Sequence, residues 1–143
     1  MIDMSLEVNI SKKFDQPVLK VWNALTDKEK VKQYFFGTEV ITDWQPGSDI
    51  VFKGDWEGNK YEDKGKILEV EEGKKIKYSH LSSFSGLPDE PDNYSIVTYE
   101  LKSENDSTIL TVTQQGFKDE TSRDDSVNGW NYVLDNMKKL LDD

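Results

Sequence analysis

The chain has 143 residues, enough to bury a substantial core in one domain. Its mean hydropathy is −0.74, yet 4 Trp, 6 Tyr and 6 Phe set it apart from the aromatic-poor, charge-rich composition of disordered chains. A formal net charge of −10, with Arg123 as the one arginine, argues against phosphate-backbone or anionic-lipid partners.

There is no cysteine, which excludes disulfides and thiolate metal sites, and the single histidine, His80, cannot supply a usual zinc set. No cofactor is expected, because neither a calcium loop nor a glycine-rich phosphate loop is present. Met1–Ser5 carries no basic, apolar leader, and no apolar run reaches membrane-spanning length, so a cytoplasmic chain with no membrane span is expected.

In chain order, Leu6, Val8 and Ile10 alternate with Glu7, Asn9 and Ser11, which predicts a strand over Leu6–Phe14. Gln16-Pro17 opens a helix that buries Val18, Val21, Trp22 and Leu25 at helical spacing. Thr26-Asp27-Lys28-Glu29 reads as a capping box starting a second short helix, which should end near Gly37. Six strands follow, predicted over Thr38–Trp44, Asp49–Trp56, Tyr61–Glu71, Lys74–Leu81, Tyr94–Lys102 and Thr108–Gln115. Turns such as Pro46-Gly47, Gly58-Asn59 and Glu72-Gly73 separate them. Consecutive strands without intervening helices make an antiparallel meander.

The period then changes. Thr121, Ser122, Asp124 and Asp125 offer capping oxygens and negative charge. Val127, Trp130, Val133, Leu134, Met137, Leu140 and Leu141 form an apolar stripe on a helix from Asp124 to Leu141. The expected architecture is a single α+β domain over residues 1–143. A curved sheet of about seven strands wraps around the long C-terminal helix, and two short helices close one end.

A curved sheet and a straight helix do not match along their full length, so a cavity is expected between them. Strand alternation turns Phe52 and Trp56, then Tyr78 and His80, then Tyr99 and Gln114 toward it. Trp130 and Leu134 face it from the helix. Apolar walls with a few polar tips describe a small-molecule site, and an ordinary packed core fits the same spacing equally well. Histidine side chains titrate near neutrality, so His80 is a candidate general base, but no nucleophile motif adjoins it. The loop Ser82–Asn93 is long for a hairpin and carries Phe84 and Leu87 among polar residues, as a flap over the cavity mouth would.

Several segments carry a family likeness, running in order from about Ile10 to Leu141. They are Val21-Trp22-Asn23-Ala24-Leu25-Thr26-Asp27 with Tyr34-Phe35, Pro46-Gly47, Gly65-Lys66-Ile67-Leu68-Glu69-Val70 and Ile76-Lys77-Tyr78-Ser79-His80. Thr111-Val112-Thr113-Gln114-Gln115-Gly116-Phe117 and Asn128-Gly129-Trp130 continue the series. Together they resemble the family named for the activator of the heat shock protein 90 ATPase. The resemblance implies the helix-grip fold of the START and birch-pollen-allergen (SRPBCC) superfamily, whose members commonly bind hydrophobic small molecules. Some relatives are polyketide cyclases and others chaperone regulators. The family often has Trp where this chain has His80. The eukaryotic activators add an N-terminal chaperone-binding domain with no counterpart in this sequence.

The expected function is therefore non-enzymatic binding of a lipid, polyketide or aromatic metabolite, by a monomer or weak homodimer. One alternative is a cyclase- or hydrolase-like enzyme using His80. The other is a chaperone-interacting module.

Overall fold

In the computed structural model, residues Ile2–Asp142 are described, apart from the side chain of Trp56. Strand β1 (Asp3–Phe14) leads into helices α1 (Val18–Thr26) and α2 (Lys28–Tyr34). Strands β2 (Glu39–Ile41), β3 (Asp49–Trp56), β4 (Asn59–Glu71), β5 (Lys75–His80), β6 (Ser95–Glu104) and β7 (Ser107–Phe117) follow, and helix α3 (Glu120–Asp142) ends the chain. A single 3₁₀ turn at Pro91–Asn93 interrupts the β5–β6 connection.

The seven strands form one antiparallel sheet in the order β1-β7-β6-β5-β4-β3-β2, so the first strand joins the last and the rest is a meander. This is the α+β arrangement expected from the residues and the helix-grip fold that the family resemblance implies. Alternation works as the strand period requires: Leu110, Val112 and Gln114 of β7 are buried, as are Val97 and Tyr99 of β6 and Ile76 and Tyr78 of β5. The helix stripe supplies the opposite wall, with Trp130, Val133, Leu134, Met137 and Leu141 buried.

Two features bend the sheet. β4 slips register against β5 between Ile67 and Glu69, a bulge that turns Leu68 outward. Just before it, Gly65 lies so close to β5 that a Cβ there would sit 1.7 Å from the Ser79 carbonyl oxygen. The Ser79 hydroxyl satisfies the neighbouring Lys66 amide at 3.0 Å. Helix α3 lies mainly against β1 and α2. The space over β3, β4 and β5 is therefore left to long side chains and to a cavity.

Most strands differ from the sequence reading by one to three residues at an end, β1 starting at Asp3 and β7 running to Phe117, and three differences have a visible cause. β2 covers only Glu39–Ile41 instead of Thr38–Trp44, because Trp44 adopts φ 60 ahead of Pro46 and its indole nitrogen turns back to the Thr26 carbonyl at 3.1 Å. The cap of α2 is Asp27, whose carboxylate accepts the Glu29 amide at 2.9 Å. Thr26 cannot cap, since its hydroxyl donates to the Trp22 carbonyl within α1. Helix α3 begins at Glu120, four residues before Asp124, because Asp119 accepts the Ser122 amide at 2.8 Å.

Candidate ligand-binding site

Between the inner sheet face and α3 lies a cavity of about 600 Å³, within the range of small-molecule pockets. Phe52 on β3, Tyr78 on β5, Val97 on β6, and Trp130 and Val133 on α3 form its apolar wall, with Phe35 at the end of α2. The aromatic rings brace one another. Phe35 stacks on Phe52 at 6.2 Å and meets Trp130 edge-on at 5.8 Å, and Phe52 lies 5.6 Å from both Tyr78 and His80. Edge and offset contacts of this kind fix ring orientation as well as burying area.

The polar groups are mostly committed to each other. Tyr78 and Tyr99 hydroxyls pair at 2.8 Å behind the wall, and burial pushes both phenols far above the ordinary tyrosine range. Gln114 is a junction: its amide NH₂ donates to the Ser95 hydroxyl at 3.1 Å, and its carbonyl accepts the Trp130 indole at 2.8 Å and the Ser126 hydroxyl at 3.1 Å. Ser95 in turn donates to the His80 backbone carbonyl at 3.2 Å. The Tyr61 hydroxyl pairs with Thr38.

His80 differs from these groups. Its Nε2 lies 3.3 Å from Asp63 Oδ2, with both side chains largely buried. The other oxygen, Oδ1, accepts the Ser83 amide at 2.8 Å and the Ser83 hydroxyl at 3.0 Å. Burial alone would raise the Asp63 carboxyl. The hydrogen bond from His80, the charge of its ring when protonated, and the two Ser83 bonds outweigh it and hold the group below its ordinary value. Asp63 is therefore a carboxylate at neutral pH, and it ties β5 to the start of the loop.

That loop is fastened to β4 a second time, where Lys64 meets Asp89, itself bonded by the Tyr94 hydroxyl. Asn93 donates to the Pro88 carbonyl at 2.9 Å. Phe84 sits at the cavity edge with its ring 5.6 Å from Tyr61, and it remains 57% exposed.

Of the residues the sequence placed at the site, Phe52, Tyr78, His80, Phe84, Gln114 and Trp130 border the cavity. Tyr99 and Leu134 lie in the packed core behind it. The side chain of Trp56 lies outside the described residues. Asp63 went unrecognised, although the signal was present. Counting back by twos from buried Ile67 through Gly65 puts Asp63 and Tyr61 on the inner face. Among the described residues no group of three or more His, Cys, Asp or Glu side chains could hold a metal ion, and no helix is long and apolar enough to cross a membrane.

A curved antiparallel sheet gripping a long C-terminal helix over an aromatic-lined cavity defines the helix-grip class. The chain belongs to the family described as Activator of Hsp90 ATPase homolog 1-like protein, whose model matches residues 15–142. It is similar to ChR145 from Cytophaga hutchinsonii, solved in solution, at 39% identity and TM-score 0.83, covering 98% of this chain and 96% of that one. Its fold is also that of CalU16 from Micromonospora echinospora, at 24% identity and TM-score 0.76 over 94% of this chain and 75% of that one. DynU16, a protein of the dynemicin biosynthetic locus, shares the fold at 18% identity and TM-score 0.80 over 96% of this chain and 47% of that one. No curated protein matches the sequence.

Proposed function

We propose that the protein binds a small, mainly apolar molecule in the cavity between sheet and α3, without turning it over. The observation that carries this reading is the cavity itself. It has about 600 Å³ bordered by rings that are held in place by each other, so the space exists before a ligand arrives. DynU16, of the same fold, is a protein of the dynemicin biosynthetic locus, and a polyketide or aromatic metabolite is the ligand type we propose here, with a lipid as the other member of the class. A thermal-shift screen of polycyclic aromatics and fatty acids tests it, since a ligand that binds only the folded state raises the unfolding midpoint. A rise of several degrees for members of one class is expected. No shift across the whole set would overturn the reading.

One observation favours a second reading, a cyclase- or hydrolase-like enzyme: the imidazole of His80 borders the cavity with a carboxylate at its back. Binding remains preferred because the Ser83 hydroxyl donates to Asp63 and the Ser95 hydroxyl to the His80 backbone carbonyl, so neither is activated by the imidazole as a nucleophile. Turnover of a cyclisable polyketide analogue, lost in His80→Ala, would favour the enzyme instead.

A further inference from the structure

Several polar groups around the cavity have little left to offer a ligand, and Asp125 on α3 adds a second carboxylate to that of Asp63. The Tyr78 hydroxyl is paired with Tyr99, the Tyr61 hydroxyl with Thr38, and the Gln114 carbonyl already accepts two bonds. His80 is different. With Nε2 beside a carboxylate oxygen, the ring proton of the neutral imidazole belongs on Nε2, which leaves the lone pair on Nδ1. Among the described residues nothing bonds to Nδ1. The ring is fixed from a second side by Phe52, which meets it edge-on at 5.6 Å, and Phe52 is itself part of the cavity wall. The cavity thus has a prepositioned acceptor in a mainly apolar wall.

Charge narrows the choice of what that acceptor meets. Asp63 is ionised and borders the same space, so a ligand carboxylate would face a like charge, in a chain of net charge −10. The cation that borders the cavity, Lys118, has its Nζ directed to the Ser85 carbonyl at 3.4 Å. A neutral hydroxyl has no such conflict.

We propose that the His80–Asp63 pair is the polar anchor of the cavity, taking a ligand whose apolar ring system carries a phenol or enol hydroxyl that donates to His80 Nδ1. This rests on the binding reading above and gives it a chemical class. Asp63 acts as the positioning residue, holding the imidazole tautomer. Because its second oxygen binds Ser83, it also joins the anchor to the flap.

The test uses three probes of one size: 2-naphthol, 2-methylnaphthalene and 2-naphthoate, titrated into the full chain and followed by amide chemical shifts. We expect 2-naphthol to bind roughly tenfold tighter than the methyl compound, the worth of one hydrogen bond, and 2-naphthoate to bind more weakly than 2-naphthol. His80→Phe, which keeps an aromatic ring against Phe52, should abolish the preference, so that 2-naphthol and 2-methylnaphthalene bind that variant equally. His80 is the sole histidine, so its two ring nitrogen resonances are unambiguous. They should show the Nε2–H tautomer in the wild type, shift at Nδ1 on adding 2-naphthol, and become a tautomer mixture in Asp63→Asn. Equal binding of 2-naphthol and 2-methylnaphthalene, or tightest binding of 2-naphthoate, would overturn the anchor while leaving the cavity as a binding site. Failure of all three probes to move any cavity resonance would overturn the binding reading and the anchor with it.

Discussion

The indole Nε1 of Trp130 on α3 donates to the side-chain carbonyl of Gln114 on β7 at 2.8 Å, joining the helix to the inner sheet face at the border of the cavity. Both partners are buried, and the same Gln114 reaches on through Ser95 to the backbone of His80. One network therefore links α3 through β7 and β6 to β5 at the border of the cavity.

Removing the indole should be costly. Trp130→Ala is expected to lose about 3–5 kcal/mol of stability, as large-to-small changes at buried aromatic sites do. Trp130→Phe keeps most of the ring and strands part of Gln114, so about 1–2 kcal/mol is expected. Urea unfolding checks both, and a Trp130→Ala protein as stable as the wild type would mean that α3 is not what closes the cavity.

The flap should behave in the opposite way. Phe84 is 57% exposed, so Phe84→Ala should change the unfolding free energy of the empty protein by no more than about 0.5 kcal/mol. Binding of an apolar ligand should nevertheless weaken, because the ring stands at the cavity edge against Tyr61. Calorimetric titration beside an unfolding curve separates the two effects.

Gly65 is a further sensitive position. Its Cβ would lie 1.7 Å from the Ser79 carbonyl oxygen, a backbone atom that cannot swing aside. Gly65→Ala should force β4 and β5 apart, costing roughly 3 kcal/mol or more. Amide exchange should quicken first at Lys64 and Leu81, which exchange hydrogen bonds across the same pair of strands.

Asp63 predicts a pH dependence. Its carboxyl is held below the ordinary value of 3.8, so the stability it contributes is fully present above that value. The contribution is lost as pH falls through the lower value of the folded state. Asp63→Asn should therefore be less stable than the wild type at neutral pH, and the gap should narrow in acid. Denaturant midpoints measured from pH 7 down to about pH 2.5 check the sign; a gap that widens in acid would contradict it.

Much of this architecture can be read from the residues because its signals are periodic. Leu6, Val8 and Ile10 alternate strongly enough to define β1, and the stripe from Val127 to Leu141 defines the face of α3. Periodicity fixes which face a side chain takes but not what lies beyond it. Tyr99 and Leu134 face inward as read, yet they meet packed core where Tyr78 and Trp130 meet open space. That difference depends on the sheet's curvature, set by the close approach at Gly65 and the bulge after Ile67. The caps at Asp27 and Asp119 were masked by neighbouring Thr26, Thr121 and Asp124, which offer the same chemistry one to five positions away. Asp63 was hidden for another reason. It sits between Glu62 and Lys64 in a charged run, and its partner His80 is brought to it only by the β4–β5 hairpin.

The most direct test of the cavity as a binding site is to fill it. Gly129 on α3 borders the cavity, and a Cβ built there meets nothing within 4 Å. Gly129→Ala should raise stability by about 0.8–1 kcal/mol through helix propensity alone and leave binding intact. Gly129→Trp should fold with at least wild-type stability while its indole occupies the space between Phe52 and α3. The measurement is the affinity of the best apolar ligand from the thermal-shift screen for these two variants, beside their unfolding curves. The account predicts wild-type affinity for Gly129→Ala and loss of binding for a stably folded Gly129→Trp; undiminished binding by Gly129→Trp would place the ligand elsewhere and contradict the account.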